Sequence, residues 1–225
     1  MQHISRNAIR IFNLLAMLFL IAALNACASG KGLFPRSGYA VASWYGAEFH
    51  GKPASSGEIF NMYALTCAHR EYPFGTQLKV TNPDNGKSVS CVVNDRGPFV
   101  AGRDIDLSYA AANQIGLIGK GTGPVSIEYL GRDNSYIREV RYQSRTGPFT
   151  IQVGSFRDYG NAVRLRDALD LKYDDVYIMS AEIKGERFHR VRIGKYVQGD
   201  EAYRFAGMLA EEGYASLIIR YEERI

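Results

Sequence analysis

The sequence has little net charge, few cysteines and no apolar run long enough for an ordinary membrane helix. Twenty-seven Lys and Arg against 23 Asp and Glu leave a formal charge of +4 over 225 residues, with no long basic run. That balance is too mild to point to nucleic acid as a partner. Charges of both signs are mixed along the chain, as on a solvated surface. There are three cysteines, and neither Cys67 nor Cys91 has a His or a second Cys beside it at zinc-ligand spacing, so no metal is expected. A glycine-rich phosphate loop is also missing, and no cofactor is expected. The apolar run from Ile11 to Ala23 is broken by Asn13 and falls short of the ~20 residues that span a bilayer.

What is present begins at the amino end. Arg6 and Arg10 precede the short apolar run, so residues 1–26 read as a signal peptide. Leu24-Asn25-Ala26-Cys27 resembles the lipobox of bacterial lipoproteins. That resemblance implies acylation of Cys27 and a lipid-membrane partner, with 27–37 as a lipidated linker on the periplasmic side of the envelope. Two or three acyl chains anchor stably where one is marginal, at ~0.8 kcal/mol per buried CH₂. Ala28, where an Asp would direct inner-membrane retention, favours the outer membrane by the same resemblance. Cys67 and Cys91 remain as an even pair in a compartment that permits disulfides. They read as a bridge contributing about 3 kcal/mol in the loop-entropy model, or as two buried free thiols.

Without the leader the chain is long enough for two small domains, each with its own core. Residues 38–130 are rich in glycine and β-branched residues. Gln77–Val80 and Ser88–Val93 read as strands joined through Asn82-Pro83-Asp84-Asn85-Gly86-Lys87, in which Asn-Gly supplies the positive φ of a hairpin. Ser108 is placed to cap a short helix, Tyr109–Ile115, ended by Gly116, and Gly123–Leu130 reads as a last strand. Many short strands with one helix suggest a small barrel. Residues 131–146 are polar and aperiodic, as in a linker. Residues 147–225 read as the second domain, and 147–222 within it hold an internal repeat: Ile151-Gln152-Val153-Gly154-Ser155-Phe156 matches Val191-Arg192-Ile193-Gly194-Lys195-Tyr196. Each half adds an amphipathic helix, with Ala162, Leu165 and Leu169 on one face of the first and Ala202, Phe205 and Leu209 on that of the second. Strands at Val176–Ile183 and Ala215–Tyr221 complete a βαββαβ pattern, expected as four antiparallel strands with both helices on one face. Ile151 and Val153 then face the helices, while Gln152, Arg190 and Arg192 face the bare side, a polar-ligand platform or a merely solvated face.

Glu58, His69, Asp95, Arg96, Asp104 and Asp106 lie among glycines between Ala42 and Ser108. Asp95 ends the apolar strand Cys91-Val92-Val93, where a barrel can fix a carboxylate at a cleft. Arg96 could lower its pKa or clamp a substrate. Glu58 and Asp95 form the natural carboxyl pair for cutting a glycosidic bond, although an Asp before Arg-Gly-Pro is more often a turn residue.

Ala42-Ser43-Trp44-Tyr45-Gly46, Phe49-His50-Gly51-Lys52, Ser56-Gly57-Glu58, Ala68-His69-Arg70, Pro73-Phe74-Gly75-Thr76, Val93-Asn94-Asp95-Arg96-Gly97-Pro98-Phe99 and Asp104-Ile105-Asp106-Leu107-Ser108 resemble, in order and spacing, the rare lipoprotein A family. Phe149–Glu222 is similar to a SPOR domain. The resemblance implies a fold that is mainly β plus α+β: a double-psi β-barrel followed by a βαββαβ ferredoxin-like SPOR domain. It implies a septal lytic transglycosylase acting on peptidoglycan glycan strands without stem peptides, in contact with the division machinery. Glu58, His69 and Asp95 match positions the family needs for activity. Tyr45, Asn61, Arg96 and Phe99 are the implied barrel contacts to sugar, and Gln152, Ser155, Arg190 and Arg192 those of the SPOR domain. Asn61 stands where relatives commonly carry Asp. That departure keeps a second expectation in view: a wall-remodelling protein that binds glycan without cutting it, as expansin barrels do.

Overall fold

A computed structural model describes residues 37–223. The leader, Cys27 and nearly all of the expected lipidated linker lie outside the described residues. Among the described residues no helix is long and apolar enough to cross a membrane.

The first half is a closed barrel. Its strands are β1 (Ser37–Tyr45), β2 (Thr66–His69), β3 (Thr76–Thr81), β4 (Ser88–Asp95), β5 (Ile105–Ser108) and β6 (Gly123–Arg132). Around the barrel they run β1-β5-β2-β4-β3-β6. β1 with β5 and β2 with β4 are parallel, and the other pairs antiparallel. Alternation in the sequence explains the interior: Leu78, Val80, Val89, Cys91 and Val93 point inward from β3 and β4. The expected β3–β4 hairpin forms, with Gly86 at φ +69°. Asn82 and Asn85 donate side-chain amides to the Ile115 carbonyl at 2.9 and 3.0 Å, tying the hairpin to helix α1 (Tyr109–Gln114). Ser108 caps α1, accepting from the Ala111 amide. Cys67 and Cys91 are disulfide-bonded across β2 and β4, inside the barrel.

The second half is a sheet, β7 (Val140–Tyr142), β8 (Phe149–Phe156), β9 (Val176–Ile183), β10 (Glu186–Tyr196) and β11 (Ser216–Arg220), with helices α2 (Tyr159–Asp170) and α3 (Gly199–Glu211). Its order is β7-β11-β8-β10-β9. The repeat is as expected, and Ala162, Leu165 and Leu169 of α2 and Ala202 and Leu209 of α3 are buried. The sheet has five strands rather than four. β7 pairs parallel with β11 through Val140, Arg141 and Tyr142. Residues 131–146, expected as a linker, therefore contain the end of β6, a 3-10 turn at Asn134–Tyr136 and β7. Three residues with two exposed side chains leave no periodicity to read.

The two halves meet along a seam. Phe74 donates its amide to the Glu212 carbonyl and Arg138 to the Ala210 carbonyl, both at 3.0 Å. The rings of Phe74 and Tyr214 lie 5.0 Å apart, edge to face. Gly213 sits at φ +97°, and a Cβ there would come within 2.9 Å of the Phe74 Cβ, so the approach requires glycine.

Candidate active site

The register of four neighbouring strands sets one row of residues: Ser43 on β1, Asp106 on β5, Ala68 on β2 and Asp95 on β4. With strands ~4.8 Å apart, the two aspartate backbones stand about 10 Å from each other across an alanine. The row opens on a cleft of ≈ 290 Å³ walled by Trp44, Tyr45, Phe49, Phe99 and Arg164. Gly97 forms part of the lining. A Cβ there would stand 3.9 Å from Asp106 Oδ2 and 4.0 Å from the Ala68 Cβ, so its absence leaves the row accessible.

The two carboxylates are held differently. Asp95 Oδ1 accepts the amides of Ser55 and Arg96, each at 2.8 Å, which fixes the side chain to the loop after β1. Asp106 accepts from the Ser43 hydroxyl and lies 3.8 Å from Arg103 Nη2, with 14% of its side chain exposed. Burial raises the Asp106 pKa; Ser43 and Arg103 oppose the rise, and the negative charge of Asp95 adds to it. Burial, with Asp95 beside it, also pushes the Tyr45 phenol well above its ordinary value, so that hydroxyl remains a donor.

The expected trio of Glu58, His69 and Asp95 does not share this cleft; of the three, Asp95 alone lines it. Glu58 accepts from Asn94 Nδ2 at 2.8 Å and from the Tyr136 hydroxyl, bracing the residue before Asp95. His69 accepts the amides of Glu71 and Tyr72 at Nδ1, at 3.1 and 3.2 Å, with its ring 4.5 Å from that of Tyr72. Burial and the charges of Arg96 and Arg70 lower its pKa to about 4, so at neutral pH it is a neutral ring with its proton on Nε2.

Arg96 contributes to the cleft lining but is 2% exposed, and its guanidinium is turned to partners in the seam. The guanidinium lies 3.7 Å over the Phe74 ring, donates to the Tyr72 carbonyl at 3.0 Å and to the His69 carbonyl at 3.4 Å, and reaches the Tyr214 hydroxyl. Tyr45 and Phe99 line the cleft as expected, whereas Asn61 is exposed and accepts the Tyr63 amide within a turn. In the second half, Gln152 and Ser155 line a groove of ≈ 590 Å³ together with Ser56 of the barrel. Arg190 is half-buried opposite Ser155. Arg192 is 1% exposed, donating to Glu222 at 2.9 Å and to the Met179 sulfur, so its guanidinium is closed off rather than displayed. Among the described residues no cluster of His, Cys, Asp or Glu is arranged to hold a metal.

Asp106 is the cleft residue that sequence reasoning left among the acidic neighbours. A signal was available: Ile105-Asp106-Leu107 alternates apolar, acidic, apolar, which turns the carboxylate away from the core side of its strand.

Residues 38–127 match the family model described as lytic transglycolase, and residues 146–220 match that of the SPOR domain. Fold and matches together define the class: a double-psi β-barrel of the lytic transglycosylase type joined to a SPOR domain. The endolytic peptidoglycan transglycosylase RlpA of Vibrio cholerae serotype O1 is 37% identical over 179 residues, covering 80% of this chain and 67% of that one. The protein of the same name from Campylobacter jejuni is 37% identical over 193 residues, covering 77% and 69%. This chain belongs to the RlpA family. Among solved structures, the apo expansin of Clavibacter michiganensis overlaps 72% of this chain and 80% of its own, with a TM-score of 0.36 and 16% identity.

Proposed function

We propose that this chain is a lipid-anchored lytic transglycosylase that cuts peptide-free peptidoglycan strands between N-acetylmuramic acid and N-acetylglucosamine, leaving 1,6-anhydro ends. The observation that carries the chemistry is the aspartate pair across Ala68, one member shifted towards its protonated form by burial. Asp106 gives its proton to the oxygen leaving from C1 of the muramic acid as that bond breaks. The C6 hydroxyl of the same sugar then bonds to C1, and its proton passes to a cleft carboxylate. No water is consumed, and the acid is restored when that proton returns to Asp106. Asp95, fixed by two amides, offers negative charge to the oxocarbenium-like centre and serves as the base. This assigns to Asp106 the acid role that the sequence suggested for Asp95. Glu58 and His69 act by positioning the β4 end and the Arg96 segment. Asn61 does not line the cleft, so an amide at that position leaves the carboxylate pair intact. Cys27 acylation gives the membrane anchor, outer rather than inner, and the SPOR domain gives enrichment at septal glycan beside the division machinery.

The test is incubation of the mature protein with amidase-treated sacculi and mass spectrometry of the released material. Anhydro-muramic ends are the expected product. Reducing ends would make the protein a hydrolase, and intact strands would make it a glycan binder.

A further inference from the structure

Arg164 belongs to α2 of the SPOR domain, yet it lines the cleft that holds Asp95 and Asp106. Its Nη2 donates to Asn161 Oδ1 one turn earlier on the helix, and its guanidinium lies 5.2 Å from the centre of the Phe49 ring, on the cleft wall. Among the described residues no carboxylate stands within 4.0 Å of it. Of the other cleft cations, Arg103 lies 3.8 Å from Asp106, and Arg96 is buried in the seam. The cleft therefore contains the acidic side chains Glu48, Asp95 and Asp106, and Arg164 is its half-buried cation with no carboxylate within 4.0 Å among the described residues.

We infer that Arg164 is a specificity-determining residue that binds the lactyl carboxylate of the muramic acid being cut. The assignment rests on the reading of the cleft as a transglycosylase site and deepens it. The lactyl ether is carried on C3, two carbons from the C1 that reacts, so a group reading it must line the same cleft. A stem peptide converts that carboxylate into an amide, which removes the charge and the second oxygen that a guanidinium fork grips. Peptide-free strands alone then offer Arg164 its partner. The SPOR domain thus contributes to substrate choice inside the catalytic cleft, in addition to any glycan held on its own sheet.

The experiment compares the full mature chain and its Arg164→Gln variant on two substrates. One is peptide-free glycan; the other is the same glycan with its lactyl carboxylates coupled to methylamine. The native carboxylate should be cut about tenfold faster than the amide by the unaltered protein, mainly through KM, in line with loss of one charge-assisted hydrogen-bonded pair. Arg164→Gln should lose about tenfold on the carboxylate substrate and nothing further on the amide. Equal losses on both substrates would mean a merely structural role at the seam and overturn the inference. So would an unaltered protein that cuts both at one rate, a result that needs no variant to fold. An unaltered protein that cuts neither substrate would instead overturn the transglycosylase reading, and the assignment with it.

Discussion

Arg96 and Arg164 cross the seam in opposite directions. The first leaves the barrel and ends against Tyr214 of the SPOR domain; the second leaves the SPOR domain and ends in the barrel's cleft. Arg96 is buried between an aromatic ring, two carbonyls and a hydroxyl. Arg164 has one amide partner and an open side. Burial of a guanidinium is costly unless its hydrogen bonds are supplied, so Arg96 reports a fixed joint. A half-buried guanidinium beside a cleft reports a place for an anion. The same side chain, at two positions across one boundary, divides the work between holding and binding.

The contrast can be broken first at the chemistry. Asp106→Asn should lower cleavage of peptide-free glycan by about 10³-fold, the usual size of a lost general acid, while leaving the seam intact. Because burial destabilises the charged form of Asp106, the same variant should melt no lower than the unaltered protein. A fall in Tm with unchanged turnover would reverse the roles of the row and the joint.

The joint comes next. Tyr214→Ala opens a cavity beside Phe74 and removes the acceptor of the Arg96 Nε, so it should cost about 3 kcal/mol in urea unfolding. Tyr214→Phe removes only the hydroxyl and should cost about 1 kcal/mol. Both should lower cleavage, since Arg96 adjoins Asp95 and donates to the His69 carbonyl. Full activity in the Tyr214→Ala protein would show that the barrel works without the SPOR domain behind it.

A further effect is on pH, confined to the acid side of neutrality. His69 is held neutral in the folded chain down to about pH 4, whereas an unfolded His titrates near 6.5. Between those values the unfolded state binds more protons, so stability falls as pH drops through that window and is unaffected above it. His69→Gln should flatten this part of the stability curve, measured by urea midpoints from pH 4 to 7.

Much of the fold was legible because it is local. Asn85-Gly86 marked the hairpin, Ser108 the start of α1, and the repeated Ile-x-Val-Gly pattern the two halves of the sheet. The site was legible only in part. Asp95 was found because it ends an apolar strand, but Asp106 joins it through β2, a neighbour of both that neither touches in sequence. Parallel pairs in the barrel make such rows invisible along the chain. The packing of Arg96 was illegible for a similar reason, since the tyrosine it donates to is 118 residues away. Arg192 sat on the expected face, and Glu222, two residues past the end of β11, closed it.

β7 bears on how this protein can be taken apart. A fragment cut where the repeat begins would lack Val140–Tyr142, leaving the outer side of β11 with bare backbone donors and acceptors. Such an edge recruits other strands, including those of a second copy. A SPOR fragment beginning at 147 should therefore self-associate, and one beginning before Val140 should stay monomeric. The segment that resembles a spacer in sequence acts as the selvage of the sheet.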